Sequence, residues 1–339
     1  AMSLLAHMHS RAGEAAKAST LLDEAEALLP SVAKDLPRRG EIATNIKLDR
    51  LSLAVATGDA GTAVRLAEDL LARFADEKGP TQLADATLFN RGAAAYNRAM
   101  RYSDSLAMQD RAMQALTSPG DSSNTNVLVY HSVRLYTLLQ AGDPAEAVRY
   151  IEARVMPGVR SDLRDLPADL FARTVVAYTR AGDVARARAL LAARPDSIDA
   201  AERPRRQRAE AQFWLCVATA ELACAQRAAP DYRELLRRAY TSNPAEAAAL
   251  HWANAALATL EGDRAAALRA VDAGLTQIAG HRLSASPIQA RLLVIKARLQ
   301  LDGGQADDAL RTSEAGLSYL REQQKYPPER SLVRAELLA

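Results

Sequence analysis

The chain has 339 residues, 49% of them hydrophobic but only 5% aromatic. Much of the apolar share is alanine, which suits helices packed at close range and excludes a large β-sheet core, since strands draw on β-branched and aromatic side chains. With 43 basic against 41 acidic residues the net charge is +2, so there is no overall field for nucleic acid or an anionic membrane, and no apolar run reaches the ~20 residues of a membrane-crossing helix.

At the start, Ala1-Met2-Ser3 reads as an expression scar, with no signal peptide. Leu4 to Arg11 reads as the last turns of a helix before a corner at Gly13. The array therefore opens midway through a unit, and a piece of a longer protein is expected. From Gly13 onward one spacing recurs. A Gly, often followed by Asp, stands five residues before an Ala: Gly13 and Ala18, Gly58 and Ala63, Gly142 and Ala147, Gly182 and Ala187, Gly262 and Ala267, Gly304 and Ala309. The gaps between these glycines are 45, 84, 40, 80 and 42, so two further units sit inside the doubled gaps.

Each unit reads as helix A, a tight corner, helix B and a looser linker. In the clearest copy, Asn126 to Gln140 gives helix A and Pro144 to Val155 gives helix B. Gly142 can take the left-handed conformation that ends a helix. Asp143 can cap the next helix, with Pro144 at its first position. The Ala one turn later lies where a large side chain would push the two helices apart. One hidden corner falls at Met100-Arg101-Tyr102, with Ser105 in the small position, and the other is expected near Gln226 to Pro230. Polar, proline-bearing linkers fall at 30–40, 117–126, 156–167, 194–204, 241–244, 280–287 and 326–328, and none is long enough to mark a domain boundary. The expectation is a single all-α domain over residues 1–339, a right-handed α-solenoid of about seven hairpins with the first truncated and a short closing helix at about 329–338.

The stretches Tyr178-Thr179-Arg180-Ala181-Gly182-Asp183-Val184-Ala185-Arg186-Ala187 and Leu139-Gln140-Ala141-Gly142-Asp143-Pro144-Ala145-Glu146-Ala147 resemble the tetratricopeptide repeat. There, helix A ends Gly-Asp-Tyr and helix B begins with a small residue. Arg101-Tyr102-Ser103-Asp104-Ser105 through Ala112 is similar to the longer, roughly 42-residue variant of that repeat. The resemblance covers nearly the whole chain. It implies a protein or peptide held in a concave groove lined by helix A. It also implies a non-enzymatic regulatory or sensory part of a larger bacterial signalling protein such as a serine/threonine kinase. The alternative is a regulatory domain of a transcription regulator, gated by a small peptide or metabolite. Cytoplasm and periplasm both stay open.

Counting back from each corner by the spacing of that repeat places Asn45, Ser52, Asn90, Asn97, Arg98, Ser132, Tyr136, Gln140, Thr179, Arg180, Trp252, Arg291 and Arg298 on the inner wall. Amides there could hold a peptide backbone, arginines a carboxylate, and Tyr136 and Trp252 could act as anchors. The Lys and Asn clamp for chaperone tails is not reproduced, since Asn90, Leu48 and Ser132 fall in its first Lys slot. No phosphate loop, nucleophile elbow or zinc-protease motif occurs. The five histidines do not converge, so no metal, cofactor or nucleic-acid partner is expected. The basic run Arg203-Pro204-Arg205-Arg206-Gln207-Arg208 reads as a solvated linker and helix start. Cys216 and Cys224, read as eight apart on one helix, would be ~12 Å apart at ~1.5 Å per residue, too far for a mutual disulfide.

Overall fold

Among the described residues the chain turns back seven times through a single residue in the left-handed conformation: Gly58, Met100, Gly142, Gly182, Ala220, Gly262 and Gly304, with φ from 53° to 84°. The computed structural model describes residues 2–12, 14–31, 39–76, 82–116, 124–158, 166–199, 201–239, 244–280 and 286–339, and holds helices and no strand among them. Gly13, expected as the first corner, lies outside the described residues. Contacts cluster into two compact units. One is Ala1–Asp121 with the short stretches 241–244 and 282–285; the other is Ser122–Tyr240, Ala245–His281 and Ser286–Ala339. The single domain expected over residues 1–339 is a proposal.

The first unit holds α1 (Met2–Arg11), α2 (Ala15–Leu28), α3 (Arg39–Thr57), α4 (Ala60–Asp76), α5 (Gln82–Arg98) and α6 (Tyr102–Leu116). Its A helices α1, α3 and α5 pack side by side, and Leu51, Ala63, Ala67, Leu70 and Leu88 form a buried cluster between the layers. The second unit begins with α7 (Asn124–Ala141) and α8 (Pro144–Tyr150), the latter continued by a π-helical stretch over Ile151–Val155. It continues through α9 (Ala168–Arg180), α10 (Val184–Ala193), α11 (Glu202–Ala218) and α12 (Leu222–Ala239). Then come α13 (Pro244–Leu260), α14 (Arg264–Gly280), α15 (Pro287–Asp302), α16 (Ala306–Gln323) and α17 (Leu332–Leu338).

The corners work as their residue types dictate. The amide after each left-handed residue bonds back five residues, as in Asp143 N–H to Leu138 O at 3.0 Å and Asp183 N–H to Tyr178 O at 2.9 Å, which satisfies a carbonyl the ending helix leaves open. Asp59, Asp143, Asp183 and Asp263 then accept the amide three residues on, at 2.8–3.0 Å, capping helix B. The small residue one turn into helix B is sealed between the helices: Ala63, Ala147, Ala187, Ala225 and Ala267 are each 0% exposed. Ser105 fills the same position at Met100 and donates its hydroxyl to Ala93 O at 2.8 Å.

Two expectations are corrected. The second hidden corner is at Thr219-Ala220-Glu221, not Gln226–Pro230; Pro230 stands inside α12. A non-glycine residue takes the strained conformation there, so the punctuation that marks other corners is missing. The same corner separates α11 from α12 and brings Cys216 and Cys224 to a Cα–Cα distance of 5.7 Å, joined in a disulfide. The cysteines lie on two antiparallel helices, and the ~12 Å argument assumed one. Glu221 places a carboxylate within 4.8 Å of both sulfurs, but disulfide sulfurs are not the thiolates a metal takes.

The closing helix is α17, preceded by a 3-10 turn at Pro328–Arg330. It packs on α15 and α16 and on its way returns to the first hairpin of its unit. Gln324 Nε2 donates to Ala141 O at 2.8 Å and Leu332 N–H to Gly142 O at 2.7 Å. The Tyr326 hydroxyl donates to Asp143 Oδ2 at 2.7 Å, and Arg330 pairs with Asp143 at 2.7 Å and Glu146 at 3.0 Å. Burial and the bond to Asp143 push the Tyr326 hydroxyl pKa up.

Candidate functional site

The second unit encloses a cavity of about 270 Å³ whose walls come from its A helices and α17. Leu139 comes from the end of α7, Arg180 from the end of α9, Trp214 and Val217 from α11, and Trp252 and Ala256 from α13. The α15 helix contributes Arg291 and Arg298 on one helical face, seven residues apart, and α17 adds Leu332, Val333 and Glu336. These groups converge because the corners stack helix A upon helix A, so one side of successive A helices faces the same space. Most of the lining is aliphatic or aromatic, and its charged members are three arginines and one glutamate.

The aromatic part is ordered by stacking. Trp214 and Trp252 lie face to face with centroids 4.0 Å apart, and Trp214 Nε1 donates to Tyr232 Oη at 3.0 Å. Arg180 lies over both indoles at 5.5 and 5.9 Å, and Arg291 over Trp252 at 4.8 Å, a geometry in which the ring quadrupole stabilises the cation. Both guanidiniums donate to one acceptor, Leu139 O, at 3.3 Å from Arg180 and 2.7 Å from Arg291. Burial, and then the nearby Arg291, pushes the Arg180 pKa down to about 9. Glu336 keeps side-chain surface open, yet the protein around it raises its carboxyl, with Arg298, Arg180 and Arg291 opposing. Burial also raises Glu210 on α11, against Arg173, Arg180 and Arg291.

Of the residues expected on the inner wall, Arg180, Trp252, Arg291 and Arg298 are brought together in this cavity. Tyr136 is half-buried on α7 beneath the Arg173 guanidinium at 5.0 Å. Ser132 is buried: it donates to Asp169 Oδ2 and accepts from Arg173 Nη1, both at 2.7 Å. Thr179 is buried too and returns its hydroxyl to Val175 O at 2.9 Å, so neither side chain faces a groove. Gln140 is half-buried, with its Oε1 lacking a hydrogen-bond partner.

In the first unit Asn45 is exposed on α3, and Ser52 is half-buried with its hydroxyl on Leu48 O. Asn90, Asn97 and Arg98 are half-buried on α5, with Asn90 Oδ1 lacking a partner. Sequence reasoning passed over Trp214, Glu210 and Glu336. Trp214 could have been found, because it stands six residues before the corner residue Ala220, as Tyr136 and Arg298 stand six before Gly142 and Gly304, but the corner itself was misplaced. Glu336 arrives on a helix outside the repeat and had no signal.

Three arginines of the basic run, Arg205, Arg206 and Arg208, are spent within the fold. Arg205 pairs with Asp231, Arg206 with Glu202 and Glu234, and Arg208 donates to Leu191 O and Arg194 O at 3.0 Å. Next to it Arg194 and Asp199 form a buried pair at 2.8 Å, 3% and 1% exposed. No described helix is long and apolar enough to cross a membrane.

No protein-family model and no curated protein matches the chain. Solved structures do. The Rap protein complexed with competence and sporulation factor is 12% identical, with 99% of this chain and 94% of that chain covered at a TM-score of 0.56. The human IFIT1 dimer with PPP-AAAA is 16% identical, with 98% and 71% covered at 0.52. A tetratricopeptide repeat protein from Parabacteroides merdae is 10% identical, with 87% and 99% covered at 0.47. Together with the corner geometry, the likenesses to the Rap protein and IFIT1 identify the fold as an all-α solenoid of tetratricopeptide-like hairpins.

Proposed function

We propose that the chain is a non-enzymatic binding module whose recognition site is the arginine and tryptophan cavity of the second unit, and that its ligand is a peptide or a segment of a partner protein. One observation carries this reading: every A helix from α7 to α15 sends at least one side chain into one cavity. The Rap structure holds competence and sporulation factor and the IFIT1 structure holds PPP-AAAA, which supports binding as the activity and leaves the ligand class to the site. The aliphatic lining favours a peptide over a nucleic acid. Asn45, Asn90, Asn97 and Arg98 of the first unit, with Tyr136 and Gln140 of the second, are candidates for further contacts along the A helices. The output would be regulation of an attached signalling domain, such as a serine/threonine kinase.

The test uses the chain's own probes. Its two tryptophans, Trp214 and Trp252, both line the cavity, so intrinsic tryptophan emission reports this site alone. A peptide library screened by emission, with calorimetry on the hits, should yield ligands whose affinity falls on Trp252→Leu and Arg298→Gln. Hits insensitive to both variants, or a preference for a single-stranded RNA oligomer over every peptide, would overturn the reading. A second reading, a small-molecule-gated domain, draws support from the size of the cavity and from α17 forming one wall.

A further inference from the structure

The cavity is short of negative charge. A guanidinium carries five N–H donors and no acceptor, and three guanidiniums line this space against one lining carboxylate, Glu336, and a second acid, Glu210, near Arg180 and Arg291. Arg180 and Arg291 both donate to one carbonyl, Leu139 O, which sets two cations side by side in a partly dehydrated space, where charge is costly. Burial, and then the nearby Arg291, lowers the pKa of Arg180. Arg291 is buried, 7% exposed, and acts as part of the wall, whereas Arg298 is exposed and Arg180 half-buried. The last two are the cations a ligand can reach.

The rest of the lining defines the body of the ligand. Leu139, Val217, Ile295, Leu299 and Val333 make an aliphatic surface. The volume of about 270 Å³ leaves room for at least one amino-acid side chain with its α-carbon groups. A nucleobase would need a free aromatic face, and the indoles are stacked on each other and covered by Arg180 and Arg291.

We propose that this cavity binds a free α-carboxylate carrying one aliphatic side chain, the carboxylate between Arg180 and Arg298 and the side chain against the Leu139, Val217 and Ile295 surface. This deepens the binding-module reading above and rests on it. Two sources share the chemistry, a free amino acid and the C-terminal residue of a peptide. Glu336 separates them: a free amino acid brings an ammonium that can pair with it, and a peptide brings a neutral amide.

The experiment titrates the intact chain by tryptophan emission and calorimetry with L-leucine, N-acetyl-L-leucine, N-acetyl-L-leucinamide and a pentapeptide ending in leucine as the acid or the amide. Acids should bind at least about tenfold more tightly than the matching amides, the range expected for hydrogen bonds to a charged group. Arg298→Gln should remove that preference, and because Arg298 is exposed the variant should keep its fold; Arg180→Gln should do the same. Binding of L-leucine lost on Glu336→Gln supports the free amino acid. Tighter binding of the acid pentapeptide, unaffected by Glu336→Gln, supports the peptide terminus. Amides binding as well as acids, no acid binding by about 10 mM, or adenosine monophosphate binding in place of the acids would each overturn the proposal. Peptides that bind regardless of their terminus but lose affinity on Trp252→Leu would overturn it while sparing the binding-module reading.

Discussion

The corners of the hairpins and the wall of the cavity follow opposite rules. At a corner the same parts return each time: a left-handed residue, an amide bonded five residues back, and a small side chain sealed between the helices. In the cavity no two neighbouring elements offer the same set. Leucine comes from α7, arginine from α9, tryptophan from α11 and α13, two arginines from α15 and a glutamate from α17. Repetition makes the scaffold, and departure from repetition makes the chemistry. The A-helix ends belong to both, and there the two rules meet: Arg180 stands two residues before Gly182, so its position is fixed by the corner while its identity is not.

The corner rule can be broken hardest at its sealed residue. Ala187→Leu should destabilise by about 1–3 kcal/mol through overpacking, because Ala187 is 0% exposed. Ala189→Leu, exposed on the same helix, should change stability by no more than about 0.5 kcal/mol. Urea melts compare the two, and equal effects would sink the packing argument. A smaller loss is expected at the left-handed residues themselves. Gly142→Ala and Gly182→Ala should each cost about 1–2 kcal/mol of backbone strain. Gly142 should lose more, since an added Cβ would lie 3.2 Å from Ser331 Oγ and 3.4 Å from Val333 Cγ2, whereas Gly182 has nothing within 4 Å. A larger loss at Gly182 would contradict the close approach of the C-terminal segment.

Ala220→Gly runs the other way. Relief of left-handed strain should outweigh the added freedom of the unfolded chain and raise stability by up to about 1 kcal/mol, seen as a higher Tm. The smallest effect is expected in the cavity. A carboxyl whose pKa is raised on folding, as at Glu336, holds its proton more tightly in the folded state. The folded state therefore loses stability as pH rises from the ordinary carboxylate value through the raised one. Between about pH 5 and pH 7 the wild type should lose more stability than Glu336→Gln, measured by urea melts at both ends. An identical pH dependence would remove Glu336 from the electrostatics of the cavity.

Much of the scaffold was legible in the sequence because glycine is the residue for which a positive φ costs nothing. Gly58, Gly142, Gly182, Gly262 and Gly304 all took that conformation, and the period alone located Met100. The period could not fix Ala220: no glycine marks it, and Pro230 nearby looked like a break but is accommodated inside α12. The disulfide was misread for the same reason. Of the residues expected on the inner wall, the count back from Gly182, Gly262 and Gly304 gave Arg180, Trp252, Arg291 and Arg298, which line the cavity, and the same count gave Ser132 and Thr179, whose hydroxyls are consumed locally. Helical spacing tells which side a residue leaves from, but a short polar side chain can bend back to its own helix, and sequence does not show that. Glu336 belongs to no repeat, so its place depended on where the chain returns.

That return changes what kind of object the second unit is. A stack of hairpins touching only their neighbours can open from either end, one unit at a time, and its slowest contacts still form between residues close in sequence. Here the bonds from Tyr326 to Asp143 and from Arg330 to Glu146 span 183 and 184 residues. The row becomes a ring, with no outermost member to peel away. Closure on that scale raises the mean sequence separation of contacts, which slows folding relative to an open array. It also levels the protection of backbone amides against hydrogen exchange, so that α7 and α16 should open together with the middle of the unit instead of fraying before it.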